Sequence, residues 1–119
     1  MPPESIDRHL PLSPAVFHLL LALAEEDRHG YALMQTIEER TNGLVKVGPG
    51  MLYGSIKWLL EEHLIEETPK RGVGKDKEDD RRKVYRLTAD GRAVVKAEAS
   101  RLEAAVGLAR SLKVLGRKA

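Results

Sequence analysis

Val45-Lys46-Val47-Gly48-Pro49-Gly50-Met51-Leu52-Tyr53-Gly54-Ser55-Ile56-Lys57-Trp58-Leu59-Leu60-Glu61-Glu62-His63-Leu64-Ile65-Glu66-Glu67 decides how this chain folds. It reads as a turn, a helix and then an extended strand. Gly48-Pro49 opens the helix, because proline suits the first helical turn. Leu52, Ile56, Leu59 and Leu60 recur at i, i+4, i+7 and i+8, which places them on one inner face. With Leu52 inward, Gly50, Gly54, Lys57 and Glu61 point roughly outward, and Met51, Tyr53 and Trp58 fall on the flanks. Two glycines in one helix each cost ~1 kcal/mol relative to alanine. Close approach to another backbone is a reason to tolerate them, and a nucleic-acid groove is one candidate.

Upstream, Met1–Leu12 has early prolines and no period, and reads as a loose arm. Ser13-Pro14 is a helix start, with serine as cap and proline in the first turn. Val16, Phe17, Leu20, Leu21 and Leu23 continue at helical spacing to about Glu26. Asp27-Arg28-His29-Gly30 reads as a turn. A second helix is expected from about Tyr31 to Arg40, with Leu33, Met34 and Ile37 as its apolar side. Thr41-Asn42-Gly43 ends it, since Asn and Gly accept the left-handed cap. Leu44–Val47 is expected to add one short strand.

Downstream, His63–Thr68 and Lys83–Leu87 read as paired strands, Tyr85 and Leu87 alternating with Val84 and Arg86. The segment between them is almost wholly polar, so mobility is expected there. Thr88 caps the last helix, with Asp90 in its first turn. Val95, Ala99, Leu102, Val106 and Ala109 follow a 4-3-4-3 spacing that suggests a coiled-coil-like seam. Ala105, Leu108, Leu112 and Leu115 form a second stripe; one stripe is expected to pack on the domain and the other to need a partner. Three helices, a hairpin and a long final helix give a mainly α fold with a small β-hairpin wing. That order suggests a winged helix-turn-helix plus a C-terminal helix, in three expected parts: a flexible arm 1–12, a winged-helix domain 13–88 suited to DNA binding, and a final helix with basic tail 89–119 whose spare stripe suits dimerisation.

The 119 residues fit one domain with a modest core, so burial through oligomerisation is useful. With 32% charged and 42% hydrophobic residues the profile is globular, and a net charge of +2 names no partner by itself. The absence of cysteine excludes disulfides and thiolate metal sites and fits a reducing compartment. The most apolar run, Val16–Ala24, is too short to span a bilayer and no secretory signal is visible, so a cytoplasmic location is expected. The four histidines are spread without a His-x-x-x-His pair, so no metal site is expected. No nucleophile elbow or phosphate loop occurs, and Gly72-Val73-Gly74 lacks the helix that a dinucleotide fingerprint requires. Neither an enzyme nor a bound cofactor is expected.

Five motifs, in order, resemble the PadR family of bacterial transcriptional regulators. They are Leu12-Ser13-Pro14, His29-Gly30-Tyr31-Ala32-Leu33, Gly48-Pro49-Gly50-Met51-Leu52-Tyr53-Gly54, Leu64-Ile65-Glu66-Glu67, and Arg82-Lys83-Val84-Tyr85-Arg86-Leu87-Thr88-Ala89-Asp90-Gly91. The resemblance covers roughly Leu12 to Leu112. It implies a homodimer held by the C-terminal helix, bound to double-stranded DNA at a pseudo-palindromic operator and usually repressing. It makes Pro49–Glu62 the recognition helix and places the wing within Thr68–Lys83. Some short members bind flat aromatic drugs through a tryptophan on the C-terminal helix. Here the one tryptophan, Trp58, is on the recognition helix, so drug sensing is not implied. Family members often sense small molecules, which leaves room for an effector in the dimer cleft, but the sequence names neither pocket nor ligand.

The expected DNA contacts are Tyr31, Pro49, Gly50, Tyr53, Gly54 and Lys57 on the helices, with Lys70, Arg71, Arg81 and Arg82 at the basic ends of the wing. Tyrosines and backbone amides commonly meet phosphate, and a lysine can meet phosphate or a guanine edge. For Tyr31, core packing is an equal alternative, and Trp58 is expected to pack near the wing base. Val95, Ala99, Leu102, Val106 and Ala109 are the expected dimer seam. The main alternative is a winged-helix protein-interaction module without operator binding.

Overall fold

The computed structural model describes residues 3–68 and 83–116. A short helix, α1 (Pro3–Asp7), precedes α2 (Pro14–Glu25). Ser13 caps α2 as expected, its hydroxyl accepting the Val16 amide at 3.2 Å. A two-residue strand, β1 (Arg28–His29), leads into α3 (Gly30–Arg40). Asn42 and Gly43, with φ of 54° and 80°, then turn the chain toward α4 (Pro49–Glu61). Strands β2 (Ile65–Glu67) and β3 (Val84–Leu87) form the hairpin, and α5 (Ala89–Ser111) follows.

The sheet is antiparallel in the order β1-β3-β2. Ile65 pairs with Leu87 and Glu66 with Arg86, while Arg28 pairs with Tyr85. Leu19, Leu20 and Leu23 of α2 form the centre of the core with Leu33 and Ile37 of α3, Leu52, Ile56 and Leu59 of α4, and Val94 of α5. The inner face read for α4 is therefore the buried one. Truncating any of these leucines to alanine is expected to cost about 2–5 kcal/mol.

The junction of hairpin and last helix is tightly specified. The Thr88 hydroxyl accepts the Gly91 amide at 2.9 Å and donates to the His63 carbonyl at 2.8 Å. The Thr88 amide donates to the Leu64 carbonyl at 3.1 Å. A Cβ on Gly91 would lie 2.0 Å from that same Leu64 oxygen, so only glycine fits. The motif Leu87-Thr88-Ala89-Asp90-Gly91 thus fixes where α5 leaves the domain.

Several expectations are corrected. Residues 3–12 are not a loose arm: α1 packs on α5, and His9 and Leu12 are buried. Two prolines hide a helix too short to show a period. Leu44–Val47 forms no strand; the third strand is β1, in the segment that reads as a turn, and two residues cannot display alternation. The Trp58 ring meets His9 edge to face at 6.0 Å, on the flank of α4 where the N-terminal segment folds back.

On α5, Val95 belongs to the core at 5% exposure, so it has no surface left for a dimer seam. The two stripes do not divide the work side by side. The helix divides along its length: Gly91, Val94, Val95 and Glu98 are buried, whereas Val106 and Leu108 are exposed, as are Leu112 and Leu115 just past its end.

Candidate nucleic-acid interface

Helices α3 and α4 hold each other through their starts. Gly30, the first residue of α3, is buried, and a Cβ there would lie 3.2 Å from Cε1 and Oη of Tyr53. Its bare backbone thereby seats the Tyr53 ring, which remains 40% exposed. The intervening turn is tied by Thr41. Its hydroxyl lies 2.9 Å from the Ile37 carbonyl and accepts the Val45 amide at 3.0 Å. Val47 then buries itself and delivers Gly48-Pro49 to the start of α4.

The two helices differ from their neighbours at the N-terminus. Ser13 and Thr88 cap α2 and α5 with side-chain oxygens. His29 and Gly48 precede α3 and α4 and give no side-chain cap. First-turn amides without an internal acceptor must be met by water or by a ligand. Tyr31 stands beside the uncapped start of α3 at 59% exposure, outside the core.

On α4 the outward residues are those the periodicity indicates. Pro49, Gly50, Met51, Tyr53, Gly54, Lys57 and Trp58 are all exposed. A Cβ added at Gly50 or Gly54 would meet nothing within 4 Å among the described residues, which therefore make no demand for glycine at either place. Lys57 has no ion pair among the described residues. By contrast, Arg86 and Lys83, at the described base of the hairpin, are engaged: Arg86 pairs with Glu66 at 2.8 Å and Lys83 with Glu67 at 4.0 Å. Such exposed pairs contribute little stability but neutralise the strand face.

Behind this surface, charge pairs brace the helices. Arg28 donates to the Ala22 carbonyl at 3.0 Å and to Glu25 at 2.5 Å, and Arg40 also pairs with Glu25. The hydrogen bond from Arg40, with its charge, holds the Glu25 carboxyl below the usual carboxylate range. At the far end of α4, Glu62 meets His9 and Arg8, each at 3.0 Å. The His9 hydrogen bond is the main cause of its lowered pKa.

The structure thus brings Tyr31, Pro49, Gly50, Tyr53, Gly54 and Lys57 onto the exposed sides of adjoining helices. Lys70, Arg71, Arg81 and Arg82 lie outside the described residues. Sequence reasoning misses two features. Gly30 reads as a turn residue, although its place beside Tyr31 in His29-Gly30-Tyr31-Ala32-Leu33 is a signal. The packing of His9 on Trp58 and Glu62 leaves no local signal. Among the described residues no three His, Asp or Glu side chains gather as a metal site, and no helix is long and apolar enough to cross a membrane.

Comparison with known proteins agrees with this geometry. Residues 19–97 match the transcriptional regulator PadR-like family. An uncharacterized protein of Lysinibacillus sphaericus is 32% identical over 75 residues, which cover 63% of this chain and 65% of that one. The match therefore spans less than two thirds of that relative's length. A transcriptional regulator from Clostridium thermocellum superposes with a TM-score of 0.65 at 18% identity, covering 93% of this chain and 96% of the other. A PadR family transcription regulator from Clostridium difficile gives 0.65 at 16% identity, over 84% and 98% of the two chains. Lactococcus lactis ZitR, solved as a cysteine-to-serine mutant in complex with DNA, gives 0.59 at 21% identity, over 87% of this chain and 61% of that one. At these identities the structural likeness establishes the fold, and the sequence match over residues 19–97 establishes more: the chain belongs to the PadR-like family of transcriptional regulators.

Proposed function

We propose that the protein is a sequence-specific DNA-binding repressor that acts as a homodimer on a pseudo-palindromic operator. The observation that carries this reading is the pair Gly50 and Gly54, on the outward face of α4, with open space where side chains would be. Glycine there costs helix stability without serving the core, and close approach to a DNA backbone or base edge accounts for it. In this reading α4 enters the major groove, Tyr31 and Tyr53 meet phosphate, and Lys57 meets phosphate or a guanine edge. Lys70, Arg71, Arg81 and Arg82 supply wing contacts, and two half-sites lie about one helical turn apart.

Ala99, Leu102, Val106 and Ala109, with Leu108, Leu112 and Leu115, form the dimer contact along the distal half of α5 and the turn that follows it. The exposed apolar side chains there support it. A cavity of about 300 Å³ between α2 and α5, lined by Phe17, His18, Glu98, Arg101 and Leu102 among others, is the place an effector would occupy.

The test is binding of the purified protein to its own upstream DNA by fluorescence anisotropy, at two salt concentrations, with random DNA as competitor. Tight binding that resists competitor and weakens steeply with salt is expected. Binding lost to any competitor would remove sequence specificity. No binding at low salt would replace this reading with a protein-interaction module.

A further inference from the structure

The end of α4 that would enter the groove is poor in the chemistry that usually reads bases. Bidentate readout relies on Arg or Lys for guanine and Asn or Gln for adenine. Pro49–Glu61 contains no Arg, Asn or Gln, and its one lysine, Lys57, comes after the second turn. Recognition helices of this kind contact base edges mainly with their N-terminal residues. In the first two turns the exposed residues are Pro49, Gly50, Met51, Tyr53 and Gly54. Tyr53 is seated against Gly30. Met51 is the long flexible side chain left, and it is 53% exposed without packing against the core.

We infer that Met51 is a specificity-determining residue that reads the C5-methyl group of a thymine in the major groove. The inference rests on the DNA-binding reading above. Helical side chains lean toward the N-terminus of their own helix, so Met51 leans toward the end presented to DNA. Gly54, three residues on, is its neighbour on the helix surface and adds no side chain to hold it off the bases. A thioether is polarizable and adaptable, suited to a methyl contact and unable to donate a hydrogen bond to a base edge. Base discrimination at this position therefore selects thymine by its methyl group rather than by its donors and acceptors.

The experiment starts from the duplex that the full-length protein enriches from a random-sequence pool. Each thymine is replaced in turn by 2′-deoxyuridine, which deletes only the methyl group. Wild-type protein is expected to bind about fourfold more weakly for each read methyl removed, the value of one buried methylene-sized group. Met51→Ala is expected to bind thymine and deoxyuridine duplexes equally, and Met51→Leu to keep the discrimination. The inference is overturned if no thymine replacement weakens wild-type binding. It is equally overturned if Met51→Ala retains the full methyl sensitivity, which would assign the contact to Pro49 or another group. Failure to enrich any sequence is a different result: it removes the sequence-specific DNA-binding reading itself, and this inference with it.

Discussion

Gly91 and the pair Gly50 and Gly54 are all helical glycines, yet they answer to different demands. At Gly91 a Cβ would sit 2.0 Å from the Leu64 carbonyl oxygen, so the residue is dictated from inside the molecule. At Gly50 and Gly54 the same atom would meet nothing within 4 Å. The first glycine is explained by the fold. The other two lower helix stability for no gain within the described residues, and the DNA-binding reading accounts for them. The contrast separates residues that build the domain from residues that serve its surface.

The sharpest test of the inner side is Gly91→Ala. The backbone at Leu64, just before β2, must shift or α5 must tilt, and overpacking against backbone is expected to cost about 3 kcal/mol or more. Urea denaturation should show a large fall in midpoint; an unchanged midpoint would mean that the hairpin–helix junction is not held as described. The matching test in the distal half of α5 is Leu108→Asp. Leu108 is 59% exposed, so fold stability of the single chain should hardly change. Light scattering should instead report conversion of dimer to monomer. A variant that stays dimeric would locate the interface elsewhere.

On the outer side, Gly54→Ala should move two quantities in opposite directions. Thermal stability should rise by about 0.5–1 kcal/mol, because alanine favours the helix. Operator affinity should fall by about tenfold, the scale of one well-made hydrogen-bonded base pairing with a side chain. If both rise, the glycine is not there for DNA. Gly30→Ala is a milder probe of the same surface. Its Cβ would lie 3.2 Å from the Tyr53 ring, which can yield by a few tenths of an ångström. A few-fold loss of operator affinity in anisotropy, with little change in stability, is expected if Tyr53 has to be held in place to meet phosphate.

How much is legible in the sequence follows the same division. The Ser13 and Thr88 caps, the inner face of α4 and the paired strands are readable because each rests on local spacing or local chemistry. Gly50 and Gly54 are readable as anomalies for the same reason. The segment 3–12 is not, since its order comes from distant partners. Ile6 and Leu10 pack on the core, and His9 finds Glu62 from across the molecule. Nor is the division of α5 readable, because a heptad-like pattern runs through buried and free halves alike. Only the position of the rest of the domain decides that Val95 is core and Leu108 is not.

The boundary between those halves carries the smallest expected effect, and it is tied to pH. Glu98 is buried at 2% exposure, where α5 leaves the domain. Arg101 donates to its two carboxylate oxygens, each at 2.8 Å. These hydrogen bonds are the main cause that holds the Glu98 carboxyl below its ordinary 4.5, and the Leu12 amide adds to them. A carboxyl whose pKa is lower folded than unfolded adds stability that is complete above the unfolded value. That stability is lost as pH falls through the lowered folded value. Glu98→Gln keeps the side chain's shape and removes its titration. Urea midpoints measured from pH 6 down to pH 3 should therefore fall more steeply for the wild type than for the variant, with the excess confined below about pH 4.5. Glu25 and Glu62 titrate in both proteins and cancel in the difference. Parallel curves would mean that the Arg101 pair is made equally well in the unfolded chain, and that the join between N-terminal segment and last helix owes its strength to Leu12 and its apolar neighbours instead.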